Sequence, residues 1–403
     1  MKTKILILTF SLIGILAKSQ PDTALTYYIK VALKNNPQIK AAYKEYQSSN
    51  EQIRISRTLP DPTISFAYAI SPVQTRLGPQ IAKMSLTQMF PWFNTLSQKK
   101  KIAVYKAKIK YDLFIHQANQ IAYNISEVYW NIFFFKKELS IISQQISLLK
   151  ALEKQSASRL KTSESSAVDL LTFQMSIDEL SVMKTNTDKE LQRLKKELFT
   201  ILSIDSLQNI IIPDTTNLSL FPILPLDSIL SKNALISAQK NNIASAQYEI
   251  ILANRMTKPS FGAGIDYAFI RGGKNAIMPM LTVALPIHFG KNKAIKHQAQ
   301  FQWEKSKYKY ETSVDLLKIQ YDKWKKDYEN EKRNLKLYNR LIEKAEQALQ
   351  IIYARYSTGN TDYLKTITME NNLLKYKIKK IQALSKIKIL EAKYNLLINN
   401  FSN

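Results

Sequence analysis

Residues 107–149 read AKIKYDLFIHQANQIAYNISEVYWNIFFFKKELSIISQQISLL, and their spacing decides the fold of the chain. One series of apolar positions recurs every seven residues, and a second series lies four residues after the first. The first series is Ala107, Phe114, Ile121, Val128, Phe135, Ile142 and Leu149. The second series is Tyr111, Ala118, Ile125, Ile132, Leu139 and Ile146. The stretch therefore predicts one long helix with a continuous packing seam.

The limits of this helix follow from the residues that break helices. No Gly or Pro occurs between Pro91 and Pro213, so we expect a helix over residues 94–161, about 100 Å long. A polar segment at 162–166 predicts a chain reversal, after which helical spacing resumes over 167–203. The result is a helical hairpin with its tip near 162–167.

The same pattern occurs a second time about 197 residues later. Arg159 and Arg355 are 196 residues apart, and Asn36 and Asn233 are 197 apart. The second tip is expected near 357–361. The repeated seam is Trp303, Tyr310, Leu317, Trp324, Tyr338 and Ala345 with Val314, Tyr321, Tyr328, Leu335 and Ile342, and Lys307 and Glu331 interrupt it. These matches predict an internal duplication.

Four short segments outside the helices alternate between apolar and small or polar residues. We expect strands at about 62–70, 81–90, 260–270 and 278–289. Such alternation is typical of the wall of a membrane barrel, although a soluble sheet packed on helices has the same pattern. Aromatic residues cluster near the strand ends, as they do at membrane interfaces. Four strands cannot close a barrel, so several chains have to contribute.

The first 19 residues have the pattern of a secretory signal peptide. Lys2 and Lys4 precede an apolar run at 5–17, and Ala17 and Ser19 form a small-x-small cleavage site. The run is too short to span a bilayer, which takes about 20 residues. The chain has no cysteine, so we expect no lipid anchor on a cysteine. The predicted organisation is a signal peptide at 1–19, a first repeat at 20–208, a linker at 209–225 and a second repeat at 226–403.

Composition argues against most enzyme classes. The 403 residues include only 8 Gly and 3 His and no Cys, which disfavours dinucleotide folds, phosphate-binding loops, thiol chemistry and cysteine zinc sites. We expect no catalytic residues, no cofactor and no metal site. The formal net charge is +26, and its lysine runs alternate with apolar heptad positions, which favours solvated helix faces over nucleic-acid binding.

Two groups of side chains are candidate metal ligands. Thioethers near the predicted strands can bind soft Cu(I) or Ag(I), but packing against lipid is the favoured interpretation. His288 and His297 have no second ligand at helical spacing, so structural or solvated roles are expected for both. The thioethers belong to Met84, Met89, Met278 and Met280.

Over residues 22–398 the sequence resembles the TolC-like outer-membrane efflux proteins. The matching segments are Asn36-Pro37-Gln38-Ile39-Lys40-Ala41, Gly78-Pro79-Gln80, Gln88-Met89-Phe90-Pro91-Trp92-Phe93, Leu285-Pro286-Ile287 and Arg355-Tyr356-Ser357-Thr358-Gly359. The Pro-Trp segment is most similar to the branch associated with heavy-metal efflux.

This resemblance implies a fold that is mainly α with membrane β. Three identical chains, a homotrimer, would form a 12-stranded barrel in the outer membrane of a Gram-negative bacterium. A helical barrel would continue from it into the periplasm. The expected partners are outer-membrane lipid, a periplasmic adaptor (membrane fusion) protein and an inner-membrane pump of the resistance-nodulation-division (RND) type, with no nucleic acid.

The resemblance also implies roles for residues at the two tips. Arg159, Ser163 and Arg355 are adaptor-contact candidates, and Ser163 stands where the family usually has glycine. Asp169 matches an aspartate that bonds to a tyrosine, here Tyr356, in the closed gate. An alternative for Asp169 is a charge that stabilises the start of its helix. The other gate candidates are Gly359, Asp362 and Lys365; Lys365 and Thr368 replace the aspartates that ring the constriction in the best-known members.

Two functions remain open at the level of sequence. One is a passive trimeric exit duct with no chemistry of its own, which exports substrates, heavy-metal cations among them, delivered by a pump. The other is a non-channel coiled-coil protein of the periplasm or cell surface, such as an adhesin, in which the strands form an ordinary soluble sheet. Only the duct is expected to fractionate with outer membranes and to conduct ions.

Overall fold

The computed structural model describes residues 23–161, 167–204, 210–213, 223–357 and 363–401, without the side chains of 355–357 and 363–364. The predicted signal peptide lies outside the described residues and stays a prediction. Among the helices of the described parts, none has a stretch long and apolar enough to cross a bilayer.

The same order of elements, two helices, two strands and two helices, occurs twice along the chain. The first six elements are α1 (Thr23–Asn35), α2 (Pro37–Ile55), β1 (Thr63–Thr75), β2 (Gly78–Phe90), α3 (Thr95–Leu160) and α4 (Ala167–Leu202). The second six are α5 (Leu226–Lys232), α6 (Ala234–Met256), β3 (Ser260–Ile270), β4 (Ala276–Ala284), α7 (Phe289–Ser357) and α8 (Tyr363–Leu397).

The two longest helices run away from the sheet to the tips. The helix α3 has 66 residues and α7 has 69, so each is about 100 Å long. Towards the tips α3 lies between α4 and α8, and α7 packs on the other side of α8. Nearer the sheet α3 lies between α2 and α6, and α7 packs on α6. Each level therefore has four helices side by side, with α7 at one edge and α2 or α4 at the other.

The core of the first repeat is centred on the middle of α3. Tyr129, Ile132 and Phe133 are almost completely buried there, against α1 and the end of α4. In the second repeat, Trp324 of α7 takes the central place, with its ring 4.7 Å from that of Tyr394. Burial of these large apolar side chains is the main force that holds the helices together.

Two asparagines at equivalent positions of the repeats begin a helix and fasten another. The Oδ1 atom of Asn36 accepts a hydrogen bond from the backbone of Gln38, and its Nδ2 donates to the Ile201 carbonyl. Asn233 caps α6 in the same way, and its Nδ2 donates to the Leu397 carbonyl. Each asparagine thus joins the start of one helix to the end of the return helix of its own repeat.

We expect Asn233→Ala to lower the free energy of unfolding by about 1 to 3 kcal/mol, because it removes a helix cap and leaves the buried Leu397 carbonyl without this donor. Denaturant unfolding of the purified protein measures the effect. Asn233→Ser is the matched control, since its neutral hydroxyl keeps a cap acceptor and only the bond to Leu397 is lost, so its loss should be smaller. Equal stability of Asn233→Ala and the unchanged protein would contradict this role.

The four strands form one antiparallel sheet in the order β1-β2-β3-β4. The first hairpin is longer than predicted, because β1 continues to Thr75 and β2 begins at Gly78, where φ is +120°. Pro72 therefore lies inside β1. An edge strand tolerates proline, and a register shift between Tyr68 and Val73 accommodates it.

The last strand is shorter than the predicted 278–289. It ends at Ala284, opposite Ser260, the first residue of β3. Pro286 follows and has no N–H to continue the ladder. His288 therefore lies beyond the strand, and its expected place on a lumen-facing strand position is wrong.

Candidate functional site

One face of the sheet is apolar and is not covered by any other part of the described chain. Its rows run across the strands, so that Ile64 lies opposite Leu86, and Leu86 opposite Ile265. Phe66, Met84, Tyr267 and Ile277 form the next row. In this face Ile64 is 74% exposed and Leu281 is 87% exposed. A soluble sheet of this kind would normally be covered, because exposed apolar area of such extent marks contact with a partner or a membrane.

The opposite face is made mainly of small and polar side chains, together with three methionines. Gly262, Gly264 and Asp266 follow one another along β3, with Ser85 directly opposite Asp266. The Nζ of Lys83 lies 2.5 Å from a carboxylate oxygen of Asp266, whose side chain is only 8% exposed. The two faces confirm the alternation expected from the sequence, with the charged groups on the face away from the apolar one.

Aromatic rings lie at the end of the sheet from which the helices depart. The rings of Trp92 and Phe261 stack with centroids 5.9 Å apart, and Phe93 packs edge-on against Trp92. Phe93 and Phe289 are strongly exposed. Near the other end of the sheet, the rings of Tyr267 and Phe269 are 4.9 Å apart. Aromatic side chains at this kind of boundary are typical of membrane–water interfaces.

Both sides of the chain are open. Among the residues that the structure describes, β1 and β4 each pair with only one neighbour, so the outer edge of each strand has unpaired backbone groups. The edge helices also have exposed apolar side chains. Those of α4 are Val168, Leu171, Met175 and Val182, and those of α7 include Phe301, Tyr308, Leu316, Ile319 and Ile351. Each side of the chain therefore has a surface suited to contact with another chain.

The candidate metal ligands are spread over both faces of the sheet and the start of α7. Met89, Met278 and Met280 lie on the polar face of the sheet, opposite Gly262, Asp266 and Gly264, whereas Met84 lies on the apolar face. His297 packs near the ring of Phe301 on α7. Within the described ranges, no group of three His, Cys, Asp or Glu side chains has the geometry for a metal ion.

Only part of the predicted tip site can be placed. Arg159 lies in the last turn of α3, and Asp169 lies in the first turn of α4. Lys365 and Thr368 lie in the first turns of α8, with the Lys365 side chain exposed. Ser163, Gly359 and Asp362 and the side chains of Arg355 and Tyr356 are outside the described residues. The position of Asp169 fits a charge that stabilises the start of α4, and the gate hypothesis stays a prediction.

The gate hypothesis assumes a hydrogen bond between Asp169 and Tyr356 that holds the tips closed. On this hypothesis, Asp169→Ala and Tyr356→Phe should each raise single-channel conductance. A hydrogen bond to a charged group contributes about 1.5 to 3 kcal/mol, so its loss shifts the balance between closed and open tips by about one to two decades. The double variant should add little to the larger single effect. Unchanged conductance with a lower melting temperature for Asp169→Ala would favour the role at the helix start.

A buried polar cluster near the tips was not predicted from the sequence. Glu370 of α8 is 2% exposed, and one of its oxygens accepts a hydrogen bond of 3.0 Å from Nε2 of Gln145 on α3. Its other oxygen accepts a bond from the Tyr353 hydroxyl of α7. Burial raises the pKa of the Tyr353 phenol, and the bond to Glu370 raises it further, so the phenol stays protonated and able to donate. This cluster joins the hairpins of the two repeats.

Comparison with known proteins identifies the fold through solved structures, since no protein-family model and no curated protein matches the sequence. The outer membrane protein VceC of Vibrio cholerae has 14% identity and a TM-score of 0.80, with 93% of this chain and 96% of that chain covered. The MtrE outer membrane channel of Neisseria gonorrhoeae has 14% identity and a TM-score of 0.77, over 93% and 88% of the two chains. CusC has 15% identity and a TM-score of 0.78, over 94% and 92%.

Proposed function

The chain has the fold of the TolC-like outer-membrane channels, and from this premise we propose that it is one subunit of a trimeric exit duct in the outer membrane. The proposal depends above all on one observation, the uncovered apolar face of a sheet whose two edges are both unpaired. Lipid covers such a face, and further copies of the chain pair with such edges. The duct itself performs no chemistry.

Closure of the barrel requires more than one chain. The smallest membrane barrels have about eight strands, so a sheet of four strands has to be completed by others. In our proposal the edge of β4 pairs with β1 of the next copy, and three copies supply 12 strands. The helices would form a ring with the same order of copies, in which α7 of one copy packs against α2 and α4 of the next copy.

The charges of the edge helices support this arrangement. The helix α4 has six Asp and Glu against five Lys and Arg, whereas α7 has sixteen Lys and Arg against nine Asp and Glu. Their exposed apolar side chains would pack against each other in the assembled ring. The excess of positive charge on α7 then lies beside the more acidic helix of the neighbour, which favours this pairing over contact between two α7 helices.

The duct requires partners because it has no source of energy. We propose that its tips meet a periplasmic adaptor protein and, through it, an inner-membrane pump of the RND type. The proposed cargo class is heavy-metal cations, supported by the Pro91-Trp92 segment that follows β2. Growth of a deletion strain on copper, silver, zinc, cobalt and a panel of drugs tests the cargo, and sensitivity to drugs alone would contradict the metal assignment.

The duct is tested by fractionation, light scattering and bilayer recording. We expect the protein to sediment with outer membranes, to run as a trimer in detergent and to give discrete conductance steps in planar bilayers. A monodisperse monomer in detergent-free buffer, without conductance, would support the alternative of a soluble coiled-coil protein. An adaptor pull-down with and without the Arg159→Ala substitution then tests the tip contact separately.

A further inference from the structure

All four junctions between helices and strands lie at the same end of the sheet. The helices α2 and α6 end just before β1 and β3, and α3 and α7 begin just after β2 and β4. Because the strands form two antiparallel hairpins, each hairpin returns the chain to the end of the sheet at which it entered. Residues 54–61, 92–101, 254–260 and 285–297 therefore lie around the same boundary.

These junction segments concentrate positive charge. They contain ten Lys and Arg and one carboxylate, Asp61. We call the ten basic residues the basic collar. They are Arg54, Arg57, Lys99, Lys100, Lys101, Arg255, Lys258, Lys291, Lys293 and Lys296. All are exposed except Arg255, which is half-buried.

Few acidic side chains of the chain pair with the cations of the basic collar. Arg54 pairs with Glu51, and the ammonium of Lys101 lies 5.0 Å from the ring centre of Tyr248. Across the described residues, none of the other collar cations forms an ion pair. On the long helices, by contrast, cations such as Arg193 and Lys377 pair with nearby glutamates. Closely spaced like charges repel one another, so anions from outside the chain would stabilise the collar.

The collar also lies at a fixed depth relative to the aromatic side chains. Trp92, Phe93 and Phe261 are at the end of the strands, and Lys99 to Lys101 follow within two turns of α3. Aromatic belts lie at the level of the lipid headgroups, and lysine side chains extend towards that level from nearby. The cations are therefore placed beside the phosphates of a bilayer leaflet.

We propose that the basic collar binds anionic phospholipid headgroups of the leaflet that faces the helices. This inference rests on the proposed membrane insertion of the sheet. Three copies of the chain would form a ring of about 30 cations around the base of the barrel. A flat ring at headgroup level fits a lipid surface better than it fits a soluble polyanion, which would need a groove. Attraction of this kind is screened by salt.

The test uses two matched triple variants reconstituted into vesicles. One replaces Lys99, Lys100 and Lys101 of the collar by Gln. The control replaces Lys150 and Lys154 of α3 and Lys375 of α8, which are exposed, lie near the tips and belong to the two helices in the middle of that layer. Spin-labelled phosphatidylglycerol and phosphatidylcholine compete for the protein surface, and their relative association is measured at low and high salt.

We expect the unchanged protein and the control to prefer phosphatidylglycerol, and high salt to weaken that preference. In the collar variant, the preference for phosphatidylglycerol should fall at least about fivefold, since a single surface lysine contributes a factor of about this size. Absence of a preference in the unchanged protein, or an equal loss in both variants, would overturn the proposal. So would a collar-dependent affinity for a DNA oligonucleotide with an unaltered lipid preference.

The same vesicles separate this inference from the proposed duct. Insertion into pure phosphatidylcholine and retention of the trimer report on the barrel and do not depend on anionic lipid. If the protein inserts and conducts there without preferring phosphatidylglycerol, the collar proposal fails and the duct stands. If it does not insert at all, the duct fails first.

Discussion

Replacing Leu281 by Arg should strongly impair insertion and assembly. Leu281 lies near the middle of β4 on the uncovered apolar face and is 87% exposed in the single chain. In the proposed barrel this side chain points into lipid, where an arginine near the bilayer midplane costs about 2 to 4 kcal/mol. Denaturant unfolding in lipid vesicles and the yield of trimer measure the loss.

Thr282→Arg is the control for this experiment, because Thr282 is the next residue along β4 and lies opposite Gly262 on the polar face. Its side chain faces the proposed lumen, so the substitution should be much better tolerated. Similar losses at the two positions would contradict a lipid-facing sheet and would favour a sheet packed against another protein.

The second large effect is expected at Trp324, which is completely buried in α7. Its ring stacks on those of Tyr321 and Tyr328, and its Nε1 donates a 2.8 Å hydrogen bond to the Leu390 carbonyl of α8. Trp324→Ala should lower the free energy of unfolding by about 3 to 5 kcal/mol, because the cavity lies between the two helices of the second hairpin.

Trp324→Phe separates packing from hydrogen bonding. The phenyl ring keeps most of the apolar contact but leaves the Leu390 carbonyl without this donor, so a loss of about 1 to 2 kcal/mol is expected. Chemical unfolding followed by circular dichroism reports both values. If alanine and phenylalanine had the same effect, the hydrogen bond rather than the stacked rings would hold α7 to α8.

The long helices were predictable from the sequence, but the way α3 packs was only partly so. The heptad series predicted one seam, and most of its members are buried. The structure also buries Tyr129, Trp130, Phe133 and Phe134, which lie outside that seam. The reason is that α3 touches helices on several sides, whereas a heptad describes contact with one. The dense apolar stretch 128–135, in which Asn131 is the one polar residue, contained this information.

The edge position of α7 explains its weaker seam. Lys307 and Glu331 interrupt the series, and within the described part of the chain α7 packs mainly on α6 and α8, with a few contacts to the short α5. A helix with one side turned away from its own chain has fewer positions that have to be apolar for folding. The polar residues that interrupt the heptad series of α7 are thus consistent with the position of this helix at the side of the subunit.

Contacts between the repeats were beyond sequence reasoning. Glu370, Gln145 and Tyr353 are three polar residues on three helices, and no period along the chain connects them. Their meeting depends on the relative rotation of α3, α7 and α8, which only the packed structure fixes. The strand limits differed for local reasons, since the edge strand β1 tolerates Pro72, whereas Pro286 cannot continue the ladder beyond β4.

The asparagine caps have a consequence for the order of events during folding. Asn36 and its acceptor Ile201 are 165 positions apart, and Asn233 and Leu397 are 164 apart. Contacts of such sequence separation form slowly, because the intervening chain has to be ordered first. Neither bond can form until the strands and the whole helical hairpin of that repeat have been made and folded back. Each asparagine therefore marks the completion of its half of the molecule, and a truncated chain that ends before Leu397 leaves the second half without this closing bond.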